Sequence, residues 1–146
     1  MSIIFSWKRF CDLTLYELYE ILKVRQEVFV VEQKCFYLDL DDKDQQSWHL
    51  QGFCGDALVC YLRVIVCPDK IKIGRVLTLP NMRKKGVARS TVDYALQKIN
   101  DQFSKFAIEL AAQVHLQKFY ESFGFNAISS PYDEDGIMHI DMRKEQ

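Results

Sequence analysis

One run, Lys72 to Ile99, constrains this chain more than any other, because in it a β-rich segment passes through a basic loop into a helix. Ile73 to Leu79 reads as a strand, Pro80-Asn81 turns the chain, and Arg83-Lys84-Lys85-Gly86-Val87-Ala88 leads onward. Ala88, Val92, Ala95 and Ile99 then recur at helical spacing, predicting a helix over about 86–100. A loop that opens a helix after a strand presents unpaired backbone N–H groups and the positive end of a helix dipole, a seat for phosphate. Gly86 lets a ligand approach the backbone where a Cβ would obstruct it, and Arg83, Lys84 and Lys85 add formal charge. The Walker A pattern fails, since Val87 follows the glycine, and so does the dinucleotide fingerprint, which needs three spaced glycines. What remains is Arg83-x-x-Gly86-x-Ala88.

The rest of the chain is read around that run. Residues 3–8 form a short first strand, and Thr14-Leu15-Tyr16-Glu17 is a capping box opening a helix from about 15 to 31, with a break near Val28. An acidic loop, Asp39 to Asp44, follows. Asp39 and Asp41 suit the first ligands of a calcium loop, but Lys43 and Asp44 fall where the third ligand and the glycine belong, so the expectation is a solvated loop with carboxylates available to a cationic acceptor. Residues 47–54, 57–67 and 70–79 read as an antiparallel meander. Phe106 to Ala112 alternates as a strand with Glu109 facing away from Ile108 and Leu110, and a helix over about 114–123 stops at Gly124. Phe125 to Ser130 and Gly136 to Met142 make a final strand pair around Pro131–Asp135. The order β-α-β-β-β-α-β-α-β-β predicts an α+β or α/β chain with a mixed central sheet, and 146 residues make one domain, 1–146.

Composition narrows the function. A net charge of −1 leaves no global field for nucleic acid or an anionic membrane surface, so neither is expected as a partner. No apolar run reaches the ~20 residues that a spanning helix needs. The five cysteines, at 11, 35, 54, 60 and 67, are odd in number, without C-x-x-C spacing and without a preceding signal peptide. That predicts reduced, mostly buried thiols, no metal and a cytoplasmic setting.

Two motifs together resemble a known family. Arg83-x-x-Gly86-x-Ala88 resembles the pyrophosphate-binding signature of the GCN5-related N-acetyltransferases, and Val114-His115-Leu116-Gln117-Lys118-Phe119-Tyr120-Glu121-Ser122-Phe123-Gly124-Phe125 resembles that family's second signature, a helix with an aromatic-Tyr pair ending in Gly-Phe. Val28–Gln33, the acidic loop, the start of the strand at His49, Ala112–Tyr120 and Asp135-Gly136-Ile137 are similar, more narrowly, to the ElaA-like subgroup.

The resemblance implies the acyl-CoA N-acyltransferase fold, with a mixed sheet between helices, and acetyl-CoA as co-substrate. It implies direct transfer to a primary amine of a small molecule or peptide. Val76, Leu77 and Thr78 would pair with pantetheine through their backbone, and Arg83, Lys84, Lys85, Gly86, Val87, Ala88 and Arg89 would wrap the pyrophosphate. Gln113 would contact the co-substrate, and Tyr120 would protonate the departing thiolate. Glu109 and Glu32 stand as alternative bases, with His115 and His49 behind them. A non-catalytic acyl-CoA-binding module on the same fold stays open, as does a homodimer.

Overall fold

The structure, a computed structural model, describes residues 2–146. Strand β1 is Ile4–Arg9; helix α1, Leu15–Arg25, runs on as a π-helix, Gln26–Glu32; β2 is Ser47–Cys54, β3 Ala57–Val66 and β4 Lys70–Thr78. Helix α2 is Val87–Phe103, β5 Ala107–Gln113, α3 Gln117–Glu121, β6 Asn126–Ala127, β7 Tyr132–Glu134 and β8 Ile137–Lys144. The sheet runs β1-β2-β3-β4-β5-β8-β6, with β7 on the same edge of β8 as β6. Among the described residues only the β4–β5 pair is parallel; the other pairs are antiparallel.

The predicted capping box forms. The Glu17 N–H donates to Thr14 Oγ1 at 3.0 Å and the Thr14 N–H to Glu17 Oε1 at 2.9 Å, so two of the helix's orphan donors are satisfied reciprocally. Near Val28 the helix widens instead of breaking. The Gln33 N–H reaches the Val28 carbonyl and the Cys35 N–H the Val30 carbonyl, each five residues back, at 3.2 Å.

The sheet lies between two helical layers. Ile21, Val24 and Val28 bury against Leu58, Tyr61 and Leu77 on one face. Val92, Ala95 and Ile99 of α2 bury with Tyr120 against Leu62, Ile73, Leu110, Ala112, Ile140 and Met142 on the other. On α2, Val87 and Thr91 are buried while Ala88 is only half-buried, so the buried face sits slightly round from the expected one. The segment read as a loop before β8 contains β7. Asp135 (φ 53°) and Gly136 (φ 83°) join the two strands as a two-residue turn with both residues left-handed, the geometry that Asp-Gly suits.

Two irregularities open the sheet. Tyr61 pairs with Leu77 and Arg63 with Gly74, so β4 carries one extra residue, and Arg75 within that bulge has φ 53°. Parallel pairing of β4 with β5 covers only Lys70–Ala107, Ile71–Ile108 and Lys72–Glu109. Beyond Lys72 the two strands part.

Candidate active site

Where β4 and β5 part, a cleft of about 920 Å³ passes between them. Strand alternation assigns its two sides. Leu110 and Ala112 pack into the α2 core, so Ala111 and Gln113 face the α1 layer. On β8, Ile140 and Met142 likewise face α2, which turns Ile137 and His139 toward α1. The α2-side chamber is lined by the loop residues 82–84 and 86–89, with Phe119 and Tyr120, and the α1-side chamber by Phe29, Glu32, Cys35, Tyr37, Arg75 and His139.

The loop before α2 has the expected form. Lys84 (φ 62°) and Gly86 (φ 79°) are left-handed, Gly86 caps α2, and the helix's first backbone bond is the Ser90 N–H to the Gly86 carbonyl at 3.1 Å. The amides of Val87, Ala88 and Arg89 therefore precede any intrahelical partner. No described atom comes within 4 Å of a Cβ built on Gly86.

Its charges are arranged less simply. Arg83 grips Glu32 with both terminal nitrogens, at 2.6 and 2.7 Å, and donates from Nε to the Thr78 carbonyl at 2.9 Å. Arg89 donates to Ser122 Oγ at 2.9 Å and lies 4.7 Å over the Phe123 ring. Lys84 and Lys85 have no ion-pair partner among the described residues. Lys85 lies outside the cleft, in a small adjoining hollow with Ile3, Phe5 and Ser90.

Tyr120 is 5% exposed and reaches the α2-side chamber. Phe119 and Phe125 pack edge-on against its ring, at 5.1 and 6.0 Å. Burial pushes its phenol up to about 12, so it stays protonated.

The expected bases fare differently. Glu32 lines the cleft, but its hydrogen bonds to Arg83 engage both oxygens and hold its carboxyl below the usual range. Glu109 faces the α1 side, as alternation predicts, yet it does not line the cleft. It sits opposite Lys72, where β4 and β5 are still paired, and bonds Arg143 Nη1 at 2.6 Å with Lys70 Nζ at 3.5 Å. Cross-strand cations thus flank Glu109 at the closed end of the opening. His49 is buried in the core, between the Tyr61 hydroxyl at 2.7 Å and the Asp44 carbonyl at 2.8 Å. His115 and Gln113 line the cleft, as do Val76, Leu77, Thr78, Val87 and Ala88.

Three of the acidic loop's four carboxylates, Asp39, Asp41 and Asp44, are held by arginines rather than free for a cationic acceptor, while Asp42 is exposed. Arg25, fully buried, donates to Asp39 at 2.9 Å and to Asp44 at 2.6 Å. Arg63 holds Asp41 and, at 3.0 Å, Asp44. Arg75 bonds Asp39 at 2.8 Å from the β4 bulge. Buried charges need such partners, and the loop supplies one carboxylate per arginine. The thiols also differ from expectation: all five are free, but only Cys35 and Cys60 are buried, and Cys11 is exposed.

Sequence reading passed over Tyr37, Arg75 and His139. The Asp135-Gly136 pair was the available signal for His139, since a hairpin turn there sends Ile137 and His139 to one face by alternation.

Comparison with known proteins follows this geometry. The Acetyltransferase (GNAT) domain family matches residues 17–146. A UPF0039 protein of Synechocystis is 43% identical over 146 residues, covering 97% of this chain and 95% of that one. The crystal structure of Escherichia coli ElaA superposes with a TM-score of 0.95 at 34% identity, covering 99% of this chain and 100% of that one. That of an acyl-CoA N-acyltransferase from Pseudomonas aeruginosa gives 0.93 at 38%, covering 98% and 99%.

Proposed function

This chain belongs to the GNAT acetyltransferase family, and on that premise we propose that residues 1–146 form a single N-acetyltransferase domain that transfers the acetyl group of acetyl-CoA directly to a primary amine of a small molecule or peptide. The observation that carries this reading is the parting of β4 from β5, which opens the sheet from face to face with a basic helix start at one mouth. The sequence similarity to an acyl-CoA N-acyltransferase supports it.

In this reading the amides and carbonyls of Val76, Leu77 and Thr78 on the open edge of β4 hold the pantetheine arm. The loop from Lys84 to Arg89 takes the pyrophosphate with its free N–H groups, and Lys84 supplies charge. Arg83, held by Glu32, fixes the loop from the side. Co-substrate and acceptor enter from opposite faces and meet in the opening, so proximity supplies much of the rate. The thioester brings the acyl group and the thiolate leaving group. Tyr120, protonated and beside the α2-side chamber, donates a proton to that thiolate. Five free cysteines support a reducing, cytoplasmic setting.

Two measurements test the reading. Calorimetry should show that Gly86→Val, which places a β-branched side chain at φ 79° in the loop, weakens CoA binding 10-fold or more, about 1.4 kcal/mol. Unchanged affinity would remove the loop from the site. Thiol release from acetyl-CoA should be detectable with a member of a panel of amino acids, polyamines and lysine peptides. Tight CoA binding without release from any of them would make the chain a binding module.

A further inference from the structure

We propose that His139 is the general base that takes the proton of the attacking amine, an assignment that rests on the acyl-transfer reading above. A carbonyl oxygen only accepts, so the 2.8 Å contact between His139 Nδ1 and the Ile137 carbonyl puts the ring proton on Nδ1. The neutral ring then carries a bare lone pair on Nε2, and no described group bonds to that atom. Glu134 Oε2 lies 3.8 Å from Nδ1 as well, so a carboxylate stands on the side of the ring away from Nε2.

The surroundings leave Nε2 free. Tyr132 stacks on the ring with centroids 6.2 Å apart, but its hydroxyl is donated to Asp141 at 2.5 Å. Gln113, opposite on β5, is neutral. On the hairpin, Asp133 faces the Gly136 amide, and the Asp135 carbonyl accepts from Cys35. Across the chamber Glu32 is tied to Arg83, and Asp41 to Arg63 and Arg75. Glu32 and Asp41 are thus held by arginines while His139 Nε2 is unpartnered; His115, Glu134 and Asp135 also line the cleft, and His139 is the imidazole among them whose other nitrogen is fixed by a backbone carbonyl.

Its position fits the step. His139 faces the α1 side and Tyr120 the α2 side, so base and acid flank the opening from opposite faces of the sheet. The amine enters as the free base. Its nitrogen bonds to the thioester carbonyl carbon and its surplus proton passes to Nε2. The C–S bond breaks, its electron pair leaves on sulfur, and sulfur takes the Tyr120 proton. His139 then gives its proton to water, Tyr120 regains one from water, and the products are an amide and a free thiol.

His139→Asn keeps a side-chain N–H near the Nδ1 position and deletes Nε2; His139→Gln is the second variant. With acetyl-CoA and the fastest amine of the panel, kcat should fall about 10²-fold near neutral pH, the acidic limb of the pH–rate profile should vanish, and CoA affinity should stay within about twofold. Long-range proton–nitrogen NMR of the wild type should show the Nδ1–H tautomer. An Nε2–H tautomer, or an unchanged acidic limb in either variant, overturns the assignment, and so does loss of folding or CoA binding in both. A wild type that binds CoA but acetylates no panel amine instead overturns the acyl-transfer reading, and the base with it.

Discussion

At the scale of single residues, Tyr120 gives the sharpest test because its hydroxyl bonds to no described group. Tyr120→Phe keeps the ring between Phe119 and Phe125 and breaks no protein hydrogen bond, so melting should be nearly unchanged. Steady-state thiol release should fall about 10²-fold in kcat with CoA affinity retained; full turnover would leave the thiolate to water or the helix dipole. Tyr120 and Gly86 were legible in the sequence because each sits in a motif whose partners are close along the chain. Glu109 was legible only by face. Its neutralising Arg143 lies 34 residues away, on a strand whose register no local pattern fixes. Glu32 was read as an alternative base with no sign of its partner, since Arg83 is 51 residues distant.

At the scale of elements, the loop Asp39–Asp44 behaves as a fastening. Asp39, Asp41 and Asp44 are gripped by arginines from α1, β3 and β4, and the loop thereby ties the α1 layer to the sheet beside the cleft. Burial raises the Asp44 pKa, but bonds and charge from Arg25 and then Arg63 outweigh it and leave the carboxyl below its ordinary value. For Asp41 the Arg63 hydrogen bonds lead, and they too lower it. Groups lowered in the folded state contribute stability that is fully present above the unfolded value, about 4, and lost as pH falls through the folded values. Melting temperature should therefore decline most steeply below about pH 4, after a shallower loss that starts below about 6.5, where burial keeps His49 neutral in the fold while the unfolded imidazole takes a proton. Asp44→Ala, which strips a ligand from two buried guanidinium groups, should cost on the order of 3 kcal/mol in urea unfolding at pH 7. A loss below about 0.5 kcal/mol, that of an ordinary surface change, would contradict the fastening. Helix starts, strand alternation and the meander were all legible, because capping boxes and two-residue periods are local. The arginines were not, because sequence shows charge without showing what it faces.

At the scale of the whole molecule, the mixed sheet and its flanking helices followed from the order of elements, while the opening did not. Nothing in Ile73–Thr78 or Leu110–Gln113 says that pairing stops at Lys72; the bulge at Arg75 and the divergence of β4 from β5 are properties of the assembled sheet. The amides on the open edge of β4 should exchange freely without ligand and slow at least 10-fold when CoA saturates the protein, and the melting temperature should climb with CoA concentration, by about 2.7 kcal/mol of stabilisation at 100 times Kd. Unchanged exchange at 73–78 under saturating CoA would place the ligand elsewhere. The divergence has a mechanical side too. The strands β1 to β4, with α1, form one plate, and β5 to β8, with α3, form another. Three ladder positions stitch the plates together, and α2 lies across the seam. Such a body flexes along that seam more readily than across it.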